Sequence, residues 1–133
     1  MTQYLLAIYR DYAVPRSPEE TRQKWAGVLA LNDRMTDVGA FAFQGGLRGG
    51  AESATVVRQS GGDFLMTDGP YTETKEHLAG FYIVNAADLD EALEWAKLAA
   101  AAQQRPVEVR AFFDGDLDDA MRAGVREVEA EVI

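Results

Sequence analysis

Two helix-start signals divide this chain into halves and restrict the folds that it can adopt. At the first, Ser17 is a helix N-cap, Pro18 occupies the first helical position, and Glu20 completes a capping box. At the second, Asp88 is followed three residues later by Glu91. Each signal follows an apolar, strand-like segment. The chain is therefore predicted to contain two units in which a strand leads into a helix.

The elements around these signals predict a ferredoxin-like α+β fold, an antiparallel sheet with helices on one face. A Gly61-Gly62 pair indicates a two-residue hairpin, and Asp68-Gly69-Pro70 indicates a turn before the next strand. Two βαβ-like halves with a hairpin between them are typical of this fold. The predicted elements are strand 3–9, helix 18–38, strand 41–44, hairpin strands 53–60 and 63–67, strand 78–84, a helix after residue 88, and strand 107–113.

Apolar side chains on both faces of the predicted sheet, including Phe81, Ile83 and Phe112-Phe113, indicate that a partner covers the face without helices. We therefore predict a homodimer, formed sheet against sheet or through the sheet edges, with a dimeric α/β barrel as one form of it. The first helix is predicted to bury one face. Its apolar residues are Trp25, Val28, Leu29, Met35 and Val38, with Leu31 widening the stripe.

The acidic C-terminal part is predicted to be separate from this domain. Residues 1–113 form the predicted domain, and residues 114–133 form a helical extension. The extension carries many acids, and its apolar stripe is predicted to pack on the domain or on a partner subunit. The stripe consists of Leu117, Met121, Val125, Val128 and Val132.

Charge and composition exclude several classes of protein. The formal net charge is -9, and no Lys/Arg run is present, so we expect no binding to nucleic acid. The absence of cysteine excludes disulfides and thiolate chemistry. No apolar run approaches the roughly 20 residues that span a bilayer, and the N-terminus has no basic leader. We therefore expect no membrane association and a cytoplasmic location.

The polar chemistry of the chain is densest just after the Asp-Gly-Pro turn. Asp68 and Glu73 are candidate acid/base groups, His77 a candidate proton shuttle, and Lys75 an electrophilic or anion-holding group. Strand alternation would place Glu73, Lys75 and His77 on the face that continues through Phe81. These four residues are the candidate catalytic groups.

A structural interpretation of the same stretch stays open. Glu73 and Lys75 would then form a surface ion pair, Asp68 would cap the turn, and Tyr71 would pack. Tyr71 and Trp25 are also candidate substrate-binding residues, so a small-molecule ligand in this region is expected under the functional interpretation. The sequence does not decide whether the protein is an enzyme.

Other sites receive less support from the sequence. The glycine-rich segment 45–50 matches neither a P-loop nor a dinucleotide fingerprint, and we interpret it as a loop or bulged strand that could border a pocket. His77 with Glu73 or Glu76 could bind a divalent ion, but structural zinc normally recruits several Cys or His ligands. We therefore predict no metal site and no cofactor.

The segment 67–83, TDGPYTETKEHLAGFYI, resembles the YCII-related family in its DGPF-motif subgroup, whose members show the pattern T-D-G-P-F-x-E-T-K-E-x-L-G-G. Residues 88–96 and 107–110 resemble later parts of that pattern, and residues 4–9 its first strand. The resemblance covers residues 3–113, with Tyr71 in place of the usual Phe and Ala79 in place of the usual Gly. It implies a dimeric α/β ferredoxin-like barrel.

The resemblance implies two classes of function. The broader family is similar to muconolactone isomerases and includes a dehydrochlorinase with a proposed His-Asp pair, whose histidine belongs on the first helix. This chain has Lys24, Trp25 and Asn32 there instead, so the pair is not carried over. Some subgroup members are encoded near or fused to sigma factors. We therefore expect a dimeric small-molecule-binding protein or enzyme of uncharacterised activity, or else a non-enzymatic dimeric interaction module associated with sigma factors.

Overall fold

Both predicted N-caps start helices in a computed structural model of the chain, which describes residues 1–72 and 74–132. The Glu20 backbone N–H donates to Ser17 Oγ at 3.1 Å, and the Glu91 N–H donates to Asp88 Oδ1 at 2.9 Å. The elements are β1 (Thr2–Asp11), α1 (Pro18–Asp37), β2 (Phe41–Gly46), a short 3-10 turn (Ala51–Ser53), β3 (Thr55–Ser60), β4 (Asp63–Asp68), β5 (Glu76–Ala86), α2 (Leu89–Gln103), β6 (Val107–Ala111) and α3 (Leu117–Val132).

The predicted ferredoxin-like α+β fold is confirmed by the sheet topology. Four strands form an antiparallel sheet in the order β2-β5-β1-β6, and α1 and α2 pack on one face of it. The predicted hairpin is also confirmed, because β3 pairs with β4 from Ser60 opposite Asp63 to Thr55 opposite Asp68. This hairpin forms a separate two-stranded sheet. The observed β5 is longer at both ends than predicted.

Alternate side chains of the central strands lie on the sheet face that the helices cover, and these side chains form the core. In β1, Tyr4, Leu6 and Ile8 are buried against the helices, and in β5 the matching residues are Tyr82 and Val84. On α1 the buried positions are Val28, Leu31 and Met35, and on α2 they include Trp95. The predicted stripe on α1 was therefore wrong for Trp25, Leu29 and Val38, which are exposed because the arc facing the sheet runs through Leu31.

A ring of three side-chain hydrogen bonds fixes α1 against the sheet. The buried Tyr82 hydroxyl donates to Asn32 Oδ1 at 2.7 Å, and Asn32 Nδ2 donates to Gln44 Oε1 at 2.7 Å. Gln44 Nε2 closes the ring by donating to the Tyr82 hydroxyl at 3.1 Å. Burial raises the pKa of Tyr82 to about 12. Because each partner offsets the desolvation of the next, the ring stabilises the contact between α1, β2 and β5.

An irregularity in the β1–β5 pairing changes which face the motif residues occupy. Ile8 lies opposite Gly80, but Tyr9 lies opposite Leu78, so Ala79 is an extra residue in β5. His77 lies opposite Arg10 and therefore shares the face of Arg10. The predicted alternation was wrong here, because the bulge moves His77 away from the face that carries Phe81. Lys75 precedes β5, so strand alternation does not orient it.

Two elements extend from this body without packing on it. Within the described residues, the β3–β4 hairpin and α3 make no substantial contact with the other helices or strands. The predicted packing of α3 on the domain is therefore not observed. As a consequence, its apolar residues Leu117, Met121, Val125 and Val128 are exposed. Of the helices in the described part of the chain, none has the length and apolar character needed to cross a membrane.

Candidate functional site

An open cleft of about 1090 Å³ lies where β1 ends and β5 begins. We call it the motif cleft, because most of the segment 70–78 lines it. Its other walls come from the end of β1, from the glycine-rich loop after β2, and from one residue of β6. Those walls include Tyr9, Asp11, Tyr12, Arg48, Gly49 and Glu108.

The Asp-Gly-Pro turn positions the motif at the mouth of this cleft. Gly69 has φ 105°, a conformation that residues with a Cβ rarely adopt, and its N–H donates to the Ala54 carbonyl at 2.7 Å. The chain then reverses, and the Arg58 guanidinium lies 5.5 Å from the centre of the Tyr71 ring. Farther on, Thr74 Oγ1 donates to the Glu76 carbonyl at 2.5 Å. These contacts fix the ends of the segment before β5 starts.

The structure brings some of the sequence-predicted residues together and separates others. Tyr71, Lys75 and His77 line the motif cleft. Asp68 ends β4 and lies outside the lining, and Trp25 lines a different pocket on the helix side. Glu73 lies outside the described residues. Of the five candidates that the structure describes, the cleft therefore contains three.

The polar groups of the motif do not form a proton relay within the described residues. No hydrogen bond or ion pair between described side chains joins Asp68, Lys75 and His77. One hydrogen bond does join two ionisable side chains of the cleft, both outside the motif. The Tyr9 hydroxyl donates to Glu108 Oε1 at 3.2 Å. Burial, and then the negative charge of Glu108, raises the pKa of Tyr9. The phenol therefore stays protonated at neutral pH and is available as a hydrogen-bond group.

The glycine-rich loop borders the motif cleft, as the sequence indicated that it could. Gly49 has φ 66°, and the Ser53 hydroxyl lies 2.6 Å from the Arg48 carbonyl and 2.8 Å from the Gly50 carbonyl. These contacts close the loop into a compact turn whose backbone faces the cleft. Arg48 and Lys75 both line the cleft and bring positive charge to it.

A second, smaller pocket of about 240 Å³ lies between α1 and the end of the sheet. Arg10, Lys24 and Arg105 line it together with Trp25. We call it the basic pocket. Sequence reasoning missed it, because its charged residues come from β1, α1 and the segment before β6 and form no local motif. It shares Tyr12 and Leu47 with the motif cleft, so the two cavities adjoin.

In residues 1–72 and 74–132, no group of three or more His, Cys, Asp or Glu side chains is placed to hold a metal ion. The described carboxylates at the motif cleft, Asp11, Glu76 and Glu108, belong to three different strands.

The fold and cleft define a small ferredoxin-like α+β protein with a polar cleft at a DGP-containing turn. The family model of the YCII-related domain matches residues 1–114, and the chain therefore belongs to the YCII-related family. An uncharacterized protein of Rhizobium meliloti (strain 1021) is 34% identical over 96 residues, which cover 71% of this chain and 77% of that protein.

Proposed function

We propose that this chain is a small-molecule-binding protein of the DGPF-motif subgroup, with its ligand in the motif cleft. The observation that carries the proposal is that Tyr71, Lys75 and His77, selected from the sequence motif, line one cleft with residues of three other segments. A concave site lined by apolar and aromatic surface with a few polar groups is the usual form of a ligand site.

The side chains of the motif cleft suit a small polar molecule with an aromatic or apolar part. Tyr9, Tyr12 and Tyr71 provide ring surface and hydroxyl groups, and Lys75 and Arg48 provide positive charge. Because Asp11, Glu76 and Glu108 provide negative charge in the same cleft, the site favours ligands that carry both donors and acceptors. We propose binding without a chemical step, since the described motif residues form no hydrogen-bonded catalytic set.

The binding proposal is tested by a thermal-shift screen with small organic acids, amines, sugar phosphates and aromatic metabolites. Compounds that stabilise the wild type are then titrated against the double variant Lys75→Met/His77→Gln. We expect their affinity to fall by roughly tenfold, because the double variant removes the charge-assisted hydrogen bond that Lys75 would donate to the ligand, together with the imidazole of His77. NMR shifts should map the bound compounds to residues of the motif cleft.

The matched control is Lys97→Met, which removes the same charge from an exposed position on α2, where Lys97 pairs with Glu94 at 2.7 Å. Its affinities should equal those of the wild type. Binding that maps away from the cleft, or that survives the double variant, would contradict the proposal. The competing function, a non-enzymatic interaction module associated with sigma factors, predicts instead that no compound binds and that Asp68→Asn or Lys75→Met dissociates a dimer or lowers its melting temperature.

We also propose that the protein is a homodimer. The supporting observation is that both elements that extend from the body carry exposed apolar side chains. In the β3–β4 hairpin, Val57, Phe64 and Met66 share one face, because Val57 lies opposite Met66 and alternation places Phe64 beside it. Exposed apolar faces of this kind are typical of surfaces between subunits.

A further inference from the structure

Four basic side chains from separate parts of the chain meet beside the basic pocket. Arg10 is the penultimate residue of β1, Arg16 lies in the loop before α1, Lys24 lies on α1, and Arg105 precedes β6. All four are only partly exposed. In a chain with a formal net charge of -9, most surfaces are acidic, so a cluster of bases needs a physical reason.

Structural contacts account for two of the four cations. Arg16 Nη2 donates to the Gln103 carbonyl at 3.0 Å, where it caps the C-terminal end of α2 and meets the negative end of the helix dipole. The Arg10 guanidinium lies 4.5 Å from the centre of the Tyr12 ring. Comparable contacts to Lys24 and Arg105 side chains are absent from the described part of the chain.

The four cations of the cluster form no ion pair with a described residue. No carboxylate in residues 1–72 and 74–132 lies within 4.0 Å of these four side chains, although Asp11 and Glu76 line an adjoining groove with Arg10, Arg16 and Arg105. The buried Nε atoms of Arg10 and Arg105 also lack hydrogen-bond partners there. A buried donor without an acceptor is costly, so the protein's own described groups leave these two guanidinium groups only partly compensated.

The ionisation of the cluster agrees with this geometry. Burial, followed by the charges of Arg105, Arg16 and Arg10, lowers the pKa of Lys24 to about 8. Burial and then the charges of Arg16 and Arg10 lower the pKa of Arg105 to about 10. Both directions mean that the folded chain disfavours these positive charges as they stand. An anion placed between them would reverse that effect.

We propose that the basic pocket binds the oxyanion group, carboxylate or phosphate, of a small molecule, held by Arg10, Lys24 and Arg105. A guanidinium presents its Nε–H and one Nη–H as a fork that fits two oxygens of such a group. The pocket volume of about 240 Å³ accommodates a small molecule and excludes a macromolecule. Trp25 and Val28, both on α1, line the same pocket and offer apolar surface to the rest of the ligand. This site is separate from the binding proposed for the motif cleft.

The test observes the arginine Nε–H signals of the full chain by ¹H–¹⁵N NMR. Inorganic phosphate and benzoate are titrated separately at constant ionic strength, with chloride as the balancing anion. We expect the Arg10 and Arg105 signals to shift and saturate, and Lys24→Gln to weaken the affinity by roughly tenfold, because a hydrogen bond to a charged group is lost. If the arginine signals respond to phosphate and not to benzoate, the ligand's oxyanion group is a phosphate. If benzoate binds more tightly than phosphate, the ligand carries a carboxylate on an apolar body.

The matched control is Arg22→Gln on the same helix. Arg22 is exposed and pairs with Glu19, so this variant removes one positive charge two residues from Lys24 without touching the pocket. Its affinity for both probes should equal that of the wild type. The proposal is overturned if neither probe gives saturating shifts at Arg10 and Arg105. It is also overturned if Arg22→Gln weakens binding as much as Lys24→Gln, because the attraction would then be general and not specific to the pocket.

Discussion

Lys24 carries a positive charge that its surroundings make unfavourable. Burial and then Arg105, Arg16 and Arg10 lower the pKa of its ammonium group to about 8, from the usual 10.5. Between these two values the unfolded chain binds more protons than the folded chain. The free energy of unfolding therefore rises with pH across this window, and the penalty from Lys24 is fully present below it.

Replacing this charge should stabilise the protein. We expect Lys24→Met to raise the free energy of unfolding by about 1 kcal/mol near neutral pH in buffer without phosphate or carboxylate, a value reduced for screening by solvent. The gain should shrink as the pH rises through the window from about 8 to 10.5, because wild-type Lys24 then loses its proton. Urea denaturation of both proteins at several pH values measures the difference. Taking the difference between the wild type and Lys24→Met at each pH cancels the contributions of the groups that both proteins share.

Lys97→Met is the control for this prediction. Its side chain is exposed on α2, and its hydrogen bond to Glu94 raises the pKa of the Lys97 ammonium group, opposite to the direction at Lys24. We expect this variant to leave the free energy of unfolding nearly unchanged or slightly lower. If Lys24→Met destabilises the protein at neutral pH, the charge of Lys24 has a partner and the unfavourable cluster does not exist.

Sequence patterns identified single residues well where the signal was local. Ser17 and Asp88 each bond to a backbone N–H three residues farther on, so their capping roles could be predicted. The basic pocket could not be predicted in this way. Arg10 and Arg105 approach Lys24 only after β1, α1 and α2 have packed, and no spacing in the sequence records that contact.

Close packing of strands explains why a glycine occupies position 80. A Cβ at Gly80 would lie 2.7 Å from the Gly45 carbonyl oxygen of β2, and this obstacle is backbone that cannot rotate away. The pairing of β2 with β5 ends at this point, with Gly46 opposite Gly80. The two strands can therefore approach fully only if residue 80 has no side chain.

The substitution Gly80→Ala should therefore separate the ends of β2 and β5. We expect it to lower the free energy of unfolding by roughly 1 to 3 kcal/mol, the usual cost of an extra methyl group in a tightly packed place. The control is Gly62→Ala in the hairpin turn, where an added Cβ meets nothing within 4 Å and φ lies outside the left-handed region. Thermal and urea unfolding compare the two. Equal stability of both variants would show that the strands tolerate the methyl group.

The order and type of the helices and strands could be predicted from periodicity and turn residues, but their relative register could not. Buried and half-buried positions alternate regularly in β5 from Gly80 to Ala86. Before Gly80, the bulge at Ala79 shifts the pattern by one residue, and the sequence contains no separate signal for it. For this reason the predicted alternation put His77 on the face of Phe81, whereas the strand pairing puts it on the face of Arg10.

The arrangement of the chain leaves two apolar surfaces without a partner in the described structure. The hairpin exposes Val57, Phe64 and Met66 on one face, and α3 exposes its stripe from Leu117 to Val128. Neither element packs on the four-stranded sheet or on α1 and α2. An isolated two-stranded hairpin is marginally stable in water, and an amphipathic helix gains most of its stability from burying its apolar face. A second copy of the chain supplies the missing contact for both elements in the homodimer that we propose.

Val125 lies within the exposed stripe of α3, and this position tests the homodimer. We expect the wild type to sediment as a dimer. Val125→Asp should raise the dissociation constant of the dimer at least tenfold, because it would bury a carboxylate without a partner in the interface. Analytical ultracentrifugation over a range of concentrations measures both. The control, Lys97→Met, changes the net charge by the same one unit at an exposed position of α2 and should leave the dimer intact. A wild type that remains monomeric, or a dimer that both variants retain, would contradict the assignment of this stripe to the subunit interface.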